Sequence, residues 1–228
     1  MTLTQACSID TSKKPKHSVL SDTESSDSSD ARKKLWIDAF FEQPYSDWFV
    51  KIPQSFTKDS FNTYGIKVDD VHAKFAYKQL SGFMDTSDDS FDSDSEDAIE
   101  KCTEVIYGLI HARYIFTPEG LYEMRQKYKN GVFGQCPRFL CKKQNLLPIG
   151  IYDKVGMENA KTYCPCCQQI YEPDSKHSSI DGAYFSKSFP HYFLLEPIMN
   201  DENGKFDGPM PMTSDTQSCR VAKQHFEI

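Results

Sequence analysis

The chain has 228 residues and a formal net charge of −7, with 16 Phe, 12 Tyr and eight Cys. That length allows one or two domains with a real core, and the acid excess argues against a general grip on nucleic acid, which needs surplus Lys and Arg. No stretch approaches the roughly 20 apolar residues of a membrane span, and the opening MTLTQACSIDTSKK shows no apolar core of a secretory signal, so the cysteines are expected inside the cell, in a reducing compartment where metal binding is commoner than disulfides.

Residues 1–34 hold eight serines, scattered acids and two small basic groups, and are predicted to be disordered. Residues 35–130 are predicted to form a mainly helical domain. Trp36, Ile37, Phe40 and Phe41 recur at helical spacing, and the apolar run Trp48, Phe49, Val50, Ile52 stops at Pro53. Phe56 and Phe61 fall in a short helix that Gly65 could end. Ala73, Ala76, Tyr77, Leu80 and Met84 line one face of the next. The segment 85–97, DTSDDSFDSDSED, carries Asp85, Asp88, Asp89, Asp92, Asp94, Glu96 and Asp97 with no Lys or Arg. Mutual repulsion predicts an exposed, extended loop. Helix resumes at about Ala98, with a stripe of Ile99, Cys102, Ile106, Leu109 and Ile110. Thr117-Pro118 offers a capping hydroxyl and then a proline at the first helical position. Asn130-Gly131 provides the stop.

After Gly131 the texture changes to Pro, Gly and Cys between short apolar runs. This predicts a small three-stranded metal-bound sheet over 131–197, with strands near Leu147–Ile151, Lys161–Tyr163 and Tyr192–Leu195. Residues 198–228 read as a flexible tail. Cys136 and Cys141 form C-x4-C; after twenty-two residues Cys164 and Cys167 form C-x2-C. Two short cysteine pairs separated by about a hairpin are how a chain builds a tetrahedral zinc site. Four thiolates leave no open position, so one structural Zn2+ is expected. Cys166 leaves an ambiguity. Cys164–Cys166 could replace Cys164–Cys167, though the C-x2-C loop lets both sulfurs converge better, and Cys166 is then a spare, oxidisable thiol. Catalysis finds little support: no H-E-x-x-H, phosphate-binding G-x-x-x-x-G-K-[ST] or H-R-D motif occurs.

The stretches WIDAFF (36–41), VIYGLIHARYIFTPEGL (105–121), KYKNGVFGQCPRFLC (127–141), LLPIGI (146–151), YCPCC (163–167) and DGAYFSKSFPHYF (181–193) together closely resemble the casein kinase II regulatory (beta) subunit family. The resemblance covers about residues 35–195. It implies an α+β chain, a helical N-terminal domain followed by a small zinc-ribbon-like three-stranded sheet domain. It also implies a zinc-dependent homodimer that is not an enzyme. That dimer would scaffold two catalytic (alpha) subunits of the Ser/Thr kinase holoenzyme and tune substrate choice, in nucleus or cytoplasm. The family's acidic loop, which binds polyamines and other basic partners, maps onto 85–97. An acidophilic kinase wants an acid three residues after the hydroxyl, which fits Ser21, Thr86 and Ser93.

One region departs from the family. The basic, proline-rich lead-in and the aromatic hairpin that dock the catalytic subunit are replaced by EPIMNDENGKFDGPMPMTSDTQSCRVAKQHFEI, with only Phe206 and Phe226 as aromatics. The alternative reading is therefore a divergent paralogue that dimerises without normal docking. A nucleic-acid-binding zinc ribbon has only Arg138, Lys142, Lys143 and Lys161 to offer as a basic face. A redox centre at Cys166 or the C-x-x-C pair is the enzymatic alternative. The aromatic run from Tyr184 to Leu195 exceeds what so small a module can bury alone, so a partner surface is expected there.

Overall fold

The computed structural model describes residues 35–66, 68, 72–82 and 93–195, the side chains of 93 and 94 excepted. The head, the tail from residue 198, Met84, Ser21, Thr86, Asp85, Asp88, Asp89 and Asp92 lie outside the described residues. Helices come first: α1 Trp36–Phe40, α2 Gln54–Lys58, α3 Ser60–Thr63, α4 Ala73–Ser81, α5 Ser93–Tyr114 and α6 Pro118–Lys129. The single helix expected around Phe56 and Phe61 is two, because Asp59 is extended and caps α3 by accepting from the Phe61 N–H. The helix expected from Ala98 begins at Ser93, so Asp94, Glu96 and Asp97 belong to the first turns of α5 rather than to an extended loop. Acids there face the positive end of the helix dipole, which favours helix over repulsion. Thr117 caps α6 by accepting from the Gly120 N–H at 3.1 Å, and Gly131 follows its end at φ 69°.

Helix α5 organises the core. The segment Phe49–Ile52 is extended and has no strand partner, yet its backbone is buried. Buried peptide groups need hydrogen bonds, and α5 supplies them from two side chains one turn apart. The Tyr107 hydroxyl donates to the Val50 carbonyl at 2.9 Å and accepts from the Ile52 N–H at 3.3 Å. His111 Nε2 accepts from the Val50 N–H at 3.1 Å, and Nδ1 donates to the Tyr184 carbonyl at 2.9 Å. One ring nitrogen must accept and the other donate, so the arrangement requires neutral imidazole. Gly108, between them, lets the Tyr184 ring lie against the helix where a Cβ would otherwise stand.

The sheet is antiparallel in the order β1 (Leu147–Ile149), β2 (Lys161–Tyr163), β3 (Ile170–Tyr171). Leu147 faces Tyr163, and Thr162 faces Tyr171. The third strand is not Tyr192–Leu195 as expected: those residues end helix α7, Phe189–Leu195. A four-residue apolar run does not distinguish strand from helix, and Pro190 is accommodated in the first turn, where no N–H is needed. The surplus aromatics also find their partner within the chain. Tyr184, Phe185, Phe189 and Phe193 share one core with Trp48, Phe49, Ile106, Ile110 and Met124. Of the large apolar residues in the run, Leu195 at its end is the one strongly exposed.

A polar clasp reinforces this junction. His177, buried and stacked on Trp48 at 4.5 Å, places Nε2 2.6 Å from Asp47, while Nδ1 meets Asp174. Lys176 reaches the other Asp47 oxygen at 2.6 Å. Partial burial opposes ionisation of Asp47, but Lys176 and His177 outweigh it and hold its carboxyl below the usual range.

Burial drives the His111 ring down to about 4, against the Tyr184 bond that raises it. As pH falls below about 6.5 the unfolded chain takes up a proton that the folded chain refuses until about pH 4. Stability is thus lost across that window, by about 3 kcal/mol at full protonation. Denaturant titrations of the wild type and His111→Leu should show this: the variant is weaker at neutral pH by about 3 kcal/mol, because it strands a buried N–H and C=O, and its stability falls less on acidification. Equal pH slopes would refute the neutral-ring assignment.

Candidate metal centre

Two turns bring four sulfurs together. The first is closed by the bridge between Gln135 and Asn145 and by the Cys136 N–H donating to the Gln144 carbonyl at 2.8 Å. Its tip, Phe139–Cys141, is a turn of 3-10 helix. Lys142 and Lys143 follow at φ 50° and 59°. Asn145 Nδ2 donates to the Tyr128 carbonyl at 2.8 Å and Gln144 Nε2 to the Tyr128 hydroxyl at 2.6 Å, so this arm hangs from the end of α6. The second turn joins β2 to β3. The Cys164 N–H donates to the Gln169 carbonyl at 3.0 Å, and the Gln168 N–H donates back to the Cys164 carbonyl at 2.8 Å. Gln168 sits at φ 56°.

Cys136, Cys141, Cys164 and Cys167 are all buried and unbridged, with their sulfurs within 4.8 Å of one another. The Cys136 and Cys167 sulfurs are 3.8 Å apart. Sulfurs placed about 2.3 Å from a central zinc form a tetrahedron with edges of about 3.8 Å, so the spacing suits that ion. Cys166 lies outside this cluster and is half-buried.

Without a cation these groups resist joint ionisation. Burial, then the neighbouring sulfurs, push the Cys141 thiol up to about 12. Burial raises Cys164 as well, despite the backbone N–H groups of Cys167 and Cys166 that favour its thiolate. At Cys167 burial also acts upward, but the Tyr171 hydroxyl, the Gln169 N–H and the other sulfurs bring it down to about 7. A divalent cation would stabilise all four thiolates at once and tie the two turns together.

Of the expected basic face, Lys161 is engaged by Glu158 at 3.2 Å and Glu172 at 2.7 Å, and Arg138 leans on the Cys167 sulfur. Only Lys142 and Lys143 stand fully exposed, too few for a phosphate-binding surface. Sequence reasoning missed Tyr171. Its signal is hairpin register: Thr162↔Tyr171 pairing returns the ring beside the cysteine turn. Glu96 and Asp97 are exposed at the start of α5. No helix among the described residues is long and apolar enough to cross a membrane.

A helical domain carrying a four-cysteine, three-stranded module defines an α+β class with a zinc-ribbon-like metal centre. Residues 35–213 match the model of the family described as casein kinase II regulatory subunit. The chain belongs to that family. It is 38% identical over 175 residues to casein kinase II subunit beta of Dictyostelium discoideum, covering 76% of this chain and 64% of that one. It is 41% identical over 169 residues to casein kinase II subunit beta of Schizosaccharomyces pombe, covering 73% and 71%. With subunit beta' of Saccharomyces cerevisiae the figures are 41% over 165 residues, 70% and 63%. The chain thus spans about two thirds of the length of these relatives.

Replacing Cys164 by Ser should remove metal and destabilise the module by several kcal/mol, since binding at such a centre is itself folding energy. Cys166→Ser should leave metal content unchanged. Elemental analysis of both proteins checks this; full metal in Cys164→Ser would overturn the assignment.

Proposed function

We propose that this chain is a non-catalytic regulatory subunit of a casein kinase II-type Ser/Thr kinase, acting as a zinc-dependent homodimer that scaffolds catalytic subunits. Cys136, Cys141, Cys164 and Cys167 are its zinc ligands. The observation that carries the reading is the two-sided construction of the metal module. One side is consumed inside the chain by Phe185, Phe189 and Phe193. The other shows Phe139 at 94% exposure, with Leu140 and Ile170 about half exposed. Apolar side chains presented on a rigid, metal-closed turn suit a protein interface. A four-sulfur site leaves no coordination position for substrate, which fits scaffolding and not catalysis.

The remaining family properties follow as part of the same reading. The acids of 85–97 serve basic ligands such as polyamines, and Ser21, Thr86 and Ser93 are phosphorylation sites for an acidophilic kinase. The same reading assigns the protein to the nucleus or cytoplasm, where zinc-binding thiols are kept reduced. A second reading, dimerisation without catalytic-subunit docking, is favoured by one feature, the absence of the basic, proline-rich lead-in after Glu196.

Two measurements separate these readings. Phe139→Asp should convert the dimer to monomer in light scattering while keeping zinc, as burying a charge at such an interface is strongly unfavourable. A pull-down with a casein kinase II catalytic subunit, comparing the full chain with one ended at Pro197, tests docking. Capture by the full chain supports the regulatory assignment. Absence of capture by either leaves only the dimer, and a wild type that is monomeric removes the scaffold altogether.

A further inference from the structure

The sulfurs of the metal centre are not equally attended. The Tyr171 hydroxyl lies 3.2 Å from the Cys167 sulfur and 3.6 Å from that of Cys136. These two sulfurs belong to different turns, and they are the pair 3.8 Å apart. Tyr171 is held in place by β3, where it pairs with Thr162 and its carbonyl accepts from the Thr162 hydroxyl at 3.2 Å.

We propose that Tyr171 is a positioning residue of the metal centre, its hydroxyl donating to the Cys167 thiolate while lying beside the Cys136 sulfur, and so setting how tightly the metal is retained. The proposal rests on the four cysteines being the metal ligands. Four thiolates around a divalent cation carry a net charge of about −2, and here that charge sits in a buried cluster of an already acidic chain. Donors aimed at the sulfurs take up part of it. The hydroxyl also lies beside both turns, since it meets a sulfur from each. Donors of this kind around metal ligands typically alter metal affinity by about 10- to 100-fold.

The test uses the full chain loaded with zinc and, separately, with cobalt. Tyr171→Phe keeps the ring and removes only the donor. Transfer of zinc to a chromogenic chelator should shift by about 10-fold toward the chelator in Tyr171→Phe. The cobalt–thiolate charge-transfer band should move to longer wavelength in Tyr171→Phe, because sulfur lone pairs that lose a hydrogen bond rise in energy; a purely packing role would not move it. Should Tyr171→Phe fold poorly, a fluorinated tyrosine at the same position, a stronger donor, must shift retention and band the opposite way. Retention within about 2-fold of wild type with an unmoved band overturns the proposal. A wild type that binds no zinc overturns the metal reading instead, and the two failures are told apart by the stoichiometry of the unmodified protein.

Discussion

Four thiols packed within 4.8 Å of one another, and buried, form an arrangement that a protein interior does not favour by itself. Each is a weak hydrogen-bonding group that packs as well against carbon. Ionising more than one sets like charges against each other in a medium that screens poorly. A soft cation would make their proximity favourable by stabilising all four thiolates. One pair is carried by a turn that hangs from the end of α6 through Asn145 and Gln144. The other is carried by the β2–β3 hairpin. A metal joining them closes a loop between helical domain and sheet that no side-chain contact closes as firmly.

The helical domain supplies the platform. Helix α5 binds the unpaired backbone at Val50 and Ile52 through Tyr107 and His111, and the same imidazole reaches the backbone at Tyr184 in the metal module. Phe185, Phe189 and Phe193 then bury themselves among helical residues, so sheet and helices share one core. The orientation of the metal-bearing turns is fixed from behind. Phe139 is displayed in front by a structure that cannot turn it inward, because the turn that carries it also carries Cys136 and Cys141.

Much of this was legible in sequence where local chemistry decides the outcome. Thr117-Pro118 and Gly131 bound α6 because capping and left-handed geometry are local effects. The cysteine spacing grouped four residues whose sulfurs the fold does bring together, because turn length limits where sulfurs can converge. The failures share the opposite cause. Ile170–Tyr171 is too short to carry a periodic signal, and the Tyr192–Leu195 run fits either period, so the third strand was misplaced. The start of α5 was hidden because seven acids read as repulsion, whereas the helix dipole rewards those at its first turn. His111 gave no signal because its role depends on which distant backbone the fold brings to it, and Tyr171 gave one only through a hairpin register that two residues are too short to announce.

Backbone strain shows how far the metal must dominate. Lys142, Lys143 and Gln168 occupy left-handed conformations that non-glycine residues avoid, each beside a cysteine turn. Such conformations are unfavourable by about 1–2 kcal/mol per residue, so the three together oppose the fold by about 3–6 kcal/mol. Structural zinc contributes on the order of 10–16 kcal/mol in small modules, which exceeds that opposition. A bound zinc would therefore outweigh the strain of these turns. The penalty is also unevenly shared, with two strained residues beside Cys141 and one beside Cys167. The strain is concentrated on the first turn, and that is the turn that displays Phe139.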